Sequence, residues 1–196
     1  MQYDITLIGS YTKDTIITPS ATKHVDGGGF NYGAHAAIAL DAKTAAITRL
    51  NKNDNHVVKN LENLGVDVFP TFTPDSTEIK LTYPTNDWDN RTLIMSKSAG
   101  SFSSDQFDDI DSKIFLINAS VRNEVEKETL KSLIKKNSLI GVDLQGFIRS
   151  RNNDGTLIDS EWSEKEEILA LVYYLKADAV EAEFLTGESD IISSAK

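Results

Sequence analysis

Gly27-Gly28-Gly29-Phe30-Asn31-Tyr32-Gly33-Ala34 leads into an alanine-rich stretch that ends at Leu40. Three consecutive glycines admit backbone angles, and a closeness of approach, that other residues do not. Phe30, Ala34, Ala37 and Ile38 recur at helical spacing, so a helix is expected to start where the glycines end. Such a start offers unpaired N–H groups and partial positive charge to hydroxyl or phosphate oxygens. A glycine hinge ahead of a buried helix fits the same residues.

Outward from this stretch, strands and helices alternate. Upstream, residues 3–8 read as a strand stopping at Gly9-Ser10, with Asp14 close behind. Residues 15–18 and 22–25 read as short strands around Pro19. Downstream come a β-type run at 44–48, a helix over 54–64 closed by Gly65, and a strand at 66–69. Residues 77–83 alternate apolar and polar side chains and are expected to pair with 91–95 across the turn at 86–90. Residues 96–104, rich in serine, read as a solvated loop. The second half predicts strands at 114–117 and 139–142, with an amphipathic helix around Val125, Leu130, Leu133 and Ile134 between them. Ser163 to Glu166 has capping-box spacing ahead of Ile168, Leu171, Val172 and Leu175, which predicts a longer helix. Ala179-Val180 reads as the next buried strand.

The alternation implies an α/β fold of three layers, α/β/α, around a mainly parallel, doubly wound sheet. Residues 14–26 and 66–96 fit that plan poorly and are expected to form a small antiparallel lid projecting from it. The whole of 1–196 reads as one domain.

Composition narrows the function. The 196 residues carry 30 acidic and 20 basic side chains, a net charge of −10, which argues against a nucleic-acid backbone binder. There is no cysteine for a disulfide or thiolate metal site. Residues 1–4 lack the marks of a signal peptide, and no apolar run approaches membrane-spanning length, so a cytoplasmic protein is expected. A phosphate loop of the form G-x-x-x-x-G-K followed by Ser or Thr is absent. Phe30 breaks the G-x-G-x-x-G pattern, which weakens a nicotinamide reading. No G-x-S-x-G elbow occurs, and His24, His35 and His56 lack ligand spacing.

Ligands of open α/β sheets bind beyond the carboxyl ends of the strands. The expected strands end there in polar groups: Ser10 with Asp14, Asn118, Asp143, and Asp178 with Glu181.

Taken in order, these segments resemble the ribokinase/PfkB-type carbohydrate kinases. The resemblance rests on Gly9-Ser10 with Asp14, the glycine run before an alanine-rich helix, Arg49 to Asp54, the projecting β segments and Asp143 to Arg149. It ends at Asp178-Ala179-Val180-Glu181, similar to the family's N-x-x-E motif, followed by Leu185-Thr186-Gly187. It implies ATP- and Mg2+-dependent phosphorylation of a sugar or nucleoside hydroxyl. Asp14, Gly27, Gly28 and either Asn31 or Tyr32 would bind the acceptor, with Tyr32 preferred by counting from Gly27. Asp143, Asp178 and Glu181 would face the nucleotide, and Glu181 would help place the metal. A homodimer through the lid is a further expectation. The family's G-A-G-D segment, with its catalytic aspartate, has no counterpart in the 196 residues. This chain is therefore expected to be inactive alone. The alternative is a non-catalytic sugar- or nucleoside-binding or regulatory protein that keeps only the acceptor half.

Overall fold

The computed structural model describes residues 2–87 and 90–195. Its strands are β1 (Gln2–Ile8), β2 (Thr12–Ile17), β3 (Thr22–Gly27), β4 (Thr44–Asn51), β5 (Asp67–Thr73) and β6 (Thr77–Thr82). They continue as β7 (Thr92–Lys97), β8 (Asp111–Ile117), β9 (Leu139–Asp143), β10 (Arg149–Arg151), β11 (Leu157–Asp159) and β12 (Tyr174–Lys176). Helices are α1 (Gly29–Ala39), α2 (His56–Asn63), α3 (Lys127–Ile134), α4 (Gln145–Ile148), α5 (Lys165–Leu169), α6 (Ala179–Thr186) and α7 (Ile191–Ser194).

The main sheet has the order β12-β9-β8-β1-β4-β5, and every pair in it is parallel. Side chains alternate across it, as the two-residue period requires. Leu7 and Ala46 face α1 and α2, where Phe30, Ala34, Val57 and Leu61 complete one buried cluster. Ile8, Ala45 and Ile47 face the other way, into a larger cluster with Phe115, Ile117, Leu130, Leu133, Phe102 and Trp162. Two apolar layers on opposite faces of one parallel sheet give the three-layer α/β/α plan.

The chain builds outward from β1 to β4 and β5 on one side, and later to β8, β9 and β12 on the other. The β1/β8 boundary is therefore the switch point, where a crevice opens past the strand ends. At that point Asn118 N–H donates to Ile8 O at 2.7 Å, so the ends of the two strands are locked together.

The lid is a second sheet, β3-β2-β6-β7. It was expected to be antiparallel, but β2 and β6 run parallel in register from Thr12↔Thr77 to Ile17↔Thr82. Each enters the lid soon after a parallel strand of the main sheet, β1 and β5 respectively, and so leaves in the same direction. Residues 67–73, which the sequence reading assigned to the lid, pair with β4 as the edge of the main sheet. The β6/β7 hairpin forms as expected, with Trp88 and Asp89 of its turn outside the described residues. The β10/β11 hairpin supports the lid through Met95 N–H to Gly155 O at 2.8 Å.

Three further expectations are corrected. Residues 96–104 are not simply solvated: β7 runs to Lys97, and Ala99 and Phe102 are buried. Ser163 does not cap a long helix; α5 is short and starts from Glu164 without a side-chain cap, and Leu175 is drawn into β12 beside β9. Ala179-Val180 opens α6 rather than a strand. Asp178 accepts from Glu181 N–H, and Glu181 accepts from Asp178 N–H, a capping box that fixes a helix start.

Candidate functional site

A cavity of about 550 Å3 lies between the carboxyl ends of the main sheet and the inner face of the lid. Thr12, Asp14, Gly28, Gly29, Tyr32 and Asn118 line one end; Asp143, Gln145, Arg149, Lys176 and the lid residue Arg91 line the other. Three of the four polar strand ends anticipated from sequence thus meet in one space. The fourth, Asp178 with Glu181, lines an adjoining cavity of about 300 Å3 that shares Arg91, Leu93 and Arg149 with the first.

Asp14 sits on β2, on the same lid face as its cross-strand neighbour Ile79. Its Oδ1 is buried and has no hydrogen-bond partner among the described residues. Burial raises its pKa, and a hydrogen bond with Thr12 opposes the rise. A Cβ on Gly27 would collide with Asp14 Oδ2 and come within 2.5 Å of Thr12 Oγ1. Gly27 is therefore what lets the carboxylate sit beside the backbone. Gly28 has φ 98°, and a Cβ there would approach Ser10 O to 2.6 Å. The glycine run folds β3 back tightly enough to bring the α1 N-terminus against β1 and β8.

Asn118, 8% exposed, closes the floor. Its Oδ1 is another buried atom without a partner, as is Ser10 Oγ. Unsatisfied buried polar atoms are uncommon in folded proteins. Of the three, Asp14 and Asn118 line the cavity, while Ser10 is enclosed beneath it.

The two registers of the glycine motif separate here. Asn31 is buried and donates from Nδ2 to Asp26 O at 3.1 Å, holding the end of β3. Tyr32 is 56% exposed and lines the cavity. Its phenol pKa is raised by partial burial, then by the charges of Asp14 and Asp26.

At the other end, Asp143 is buried, and both its oxygens lie 3.2 Å from Lys176 Nζ. Glu181, 3% exposed, faces Arg149 at 3.6 Å from its Oε1. Burial raises the Glu181 pKa; the Asp178 amide opposes this, the charges of Asp178 and Asp143 add to it, and Lys176 lowers it. The sequence reading did not single out Arg91 or Lys176, and named Gln145 and Arg149 only within a segment. Cations near carboxyl strand ends were the available signal. His24, His35 and His56 serve local contacts, with Thr15, the Asn31 carbonyl and Asp26.

A three-layer α/β/α fold with a lid over the switch point of its sheet, a buried acid on that lid and cations beyond it frame a small-molecule cavity. No protein-family profile matches the chain, and no curated protein matches it either. Among solved structures, it is similar to a pyrophosphate-dependent kinase in the ribokinase family in a sulfate complex. That match has a TM-score of 0.90 and 30% identity, over 97% of this chain and 67% of that one. A structure of a pyrophosphate-dependent kinase in the ribokinase family, complexed with a pyrophosphate analog and myo-inositol, matches with a TM-score of 0.89 and 29% identity. It covers 97% of this chain and 66% of that one. Ribokinase from Thermotoga maritima shares the fold at a TM-score of 0.63 and 17% identity, over 98% of this chain and 66% of that one. The chain belongs to the ribokinase family, and it spans about two thirds of the length of these proteins.

Proposed function

We propose that this chain carries the acceptor half of a small-molecule kinase site, which binds a sugar, cyclic polyol or nucleoside through vicinal hydroxyls at Asp14. The observation that carries this reading is the buried, unpartnered Oδ1 of Asp14 facing the cavity. An ionised carboxylate accepts from two hydroxyls at once, and the dry setting strengthens each bond. Asn118 and the Gly29 amide at the start of α1 supply further polar contacts, and Tyr32 forms a wall against which a ring would pack.

In the complete reaction the acceptor oxygen forms a bond to the terminal phosphorus of a phosphoanhydride. The bond from that phosphorus to the bridging oxygen breaks, and the rest of the donor leaves. The hydroxyl proton passes to a base, which the family resemblance assigns to the G-A-G-D aspartate that these 196 residues lack. The lid excludes water so that transfer goes to the bound hydroxyl. The donor is ATP or, as in the two relatives about 30% identical, pyrophosphate.

Magnesium fits this end only through its waters and the donor's phosphates, which is its usual mode of binding. Asp143 already faces Lys176, while Asp178 and Glu181 cap each other. Among the described residues, no three His, Cys, Asp or Glu side chains gather as a metal site.

Calorimetric titration of myo-inositol and of a nucleoside into the folded chain tests the proposal. At least one is expected to bind to the wild type, and Asp14→Asn is expected to weaken that binding by about tenfold or more, the scale of a lost charge-assisted hydrogen bond. Equal binding by the Asp14→Asn variant would contradict the proposal.

A further inference from the structure

Asp14 faces the acceptor cavity from β2, so the two-residue period of the strand turns its neighbour Lys13 to the other side of the lid. Asp26 pairs with Lys13 across β2 and β3 and directly precedes Gly27. Lys13 and Asp26 line a separate cavity of about 570 Å3 on that outer side, together with Tyr11. The two residues that shape the acceptor end, Asp14 and Gly27, are thus each one peptide away from a charged residue on the lid's far face.

Both charged residues are fastened to the body of the molecule. Lys13 Nζ lies 3.0 Å from Oδ1 of Asp54, which sits in the turn between β4 and α2. Asp54 is buried, and its other oxygen accepts from the Ser76 hydroxyl at 2.6 Å. Ser76 Oγ in turn accepts from the Asn51 N–H at 2.8 Å. Ser76 directly precedes β6, so a second lid strand is anchored at the same carboxylate. Two residues on, His56 at the start of α2 places Nε2 3.2 Å from each oxygen of Asp26. The buried Tyr11 hydroxyl donates to Asp26 Oδ1 at 2.5 Å. The roots of β2, β3 and β6 therefore converge on one turn of the body.

We propose that the Lys13–Asp54 pair is a latch that sets the lid over the acceptor cavity, which makes Lys13 and Asp54 positioning residues for acceptor binding. The proposal rests on the acceptor reading above, because it takes the cavity beneath the lid as the acceptor's. Neither Lys13 nor Asp54 lines that cavity, so both act on it through β2 and β3. A shift of this root moves Asp14 and Gly27 together, relative to Asn118 and Gly29 on the body. Burial works to raise the Asp54 pKa, but the Ser76 hydroxyl, Lys13 and His56 outweigh it, and the pKa is lowered. The latch is therefore charged on its body side throughout the neutral range.

Calorimetric titration of myo-inositol and of a nucleoside, both uncharged, into the folded 196-residue chain is the test. It compares the wild type with Lys13→Met, Asp54→Asn and the double variant, at low and at high salt. Lys13 is exposed and methionine keeps its stem, while asparagine keeps an acceptor for Ser76. Each single variant is expected to bind the acceptor about threefold or more weakly, the scale of a partly exposed ion pair. The double variant is expected to bind no more weakly than the weaker single one, since either change removes the same pair. Added salt is expected to weaken the wild type towards the variants and to leave the variants nearly unchanged, because an uncharged ligand gives salt only the protein's own ion pairs to screen. A wild type that binds an acceptor indifferently to salt, or as well as both single variants do, would overturn the latch and leave the acceptor reading standing. Additive losses in the double variant would overturn it too, because the two residues would then act separately. A wild type that binds neither acceptor overturns both readings.

Discussion

Asp14 and Glu124 are both acids taken out of water, and their surroundings give them different work. Asp14 opens onto a cavity, so its unpartnered oxygen can be satisfied by a ligand. Glu124 lines none of the cavities described above and lies inside the loop after β8. Its Oε2 accepts from Ser120 N–H at 2.8 Å, while its Oε1 has no partner among the described residues. Burial pushes its pKa up to about 7, against the pull of the Ser120 amide and the Arg49 charge. A raised acid is neutral in the folded state while it is already charged in the unfolded chain. Its contribution is fully present below the unfolded value of 4.5 and is lost as pH rises through about 7. The shift corresponds to about 3 kcal/mol. Glu124→Gln keeps an acceptor for Ser120 and removes the titration. Thermal unfolding of the wild type is therefore expected to lose stability between pH 5 and pH 8 relative to Glu124→Gln, with the two matching most closely at the acid end. Parallel pH profiles would contradict this.

At the scale of elements, the glycine hinge decides whether the site exists. α1 begins directly after Gly28 with no side-chain cap, and Gly28 holds φ 98°. A Gly28→Ala substitution would force an unfavourable backbone region and press a methyl group towards Ser10 O. A loss of about 2 kcal/mol is expected in denaturant unfolding. A variant as stable as the wild type would show that the tight turn is not required.

What the sequence made legible follows the same logic. Phe30, Ala34 and Ala37 announced α1 because one periodicity governed a long segment. Asp178 and Glu181 were identified as residues but assigned to the wrong element. Two apolar residues in a row suggested a strand, while the capping box decided for a helix. β12 was hidden in a helical pattern because a three-residue strand gains its order from β9 rather than from its own side chains. The parallel pairing of β2 with β6 was equally hidden, since 59 residues separate Ile17 from Thr77 on a direct count and local alternation is silent about partners. Arg91 and Lys176 escaped notice because an isolated cation in a sequence carries no sign of the cavity it will line.

For the whole molecule, the switch point is the organising feature. It sets β1 against β8, brings the α1 N-terminus down beside Asn118, and leaves the lid to close from above. At the far side, Tyr173, Tyr174, Leu175 and Phe184 are exposed on and flanking β12, which lies at the opposite end of the sheet from β5 and is separated from β8 by β9. The acceptor end draws its residues from β1, β2, α1 and the end of β8, all central or in the lid, so it does not depend on what covers that edge. The most direct test is therefore an amide NMR titration of the labelled chain with myo-inositol and, in parallel, a nucleoside. Binding is expected to shift the amides of Gly27, Gly28, Gly29, Tyr32 and Asn118 together, and to leave those of α3 in place. Shifts confined to other surfaces, or none with either acceptor, would contradict an acceptor site at the switch point.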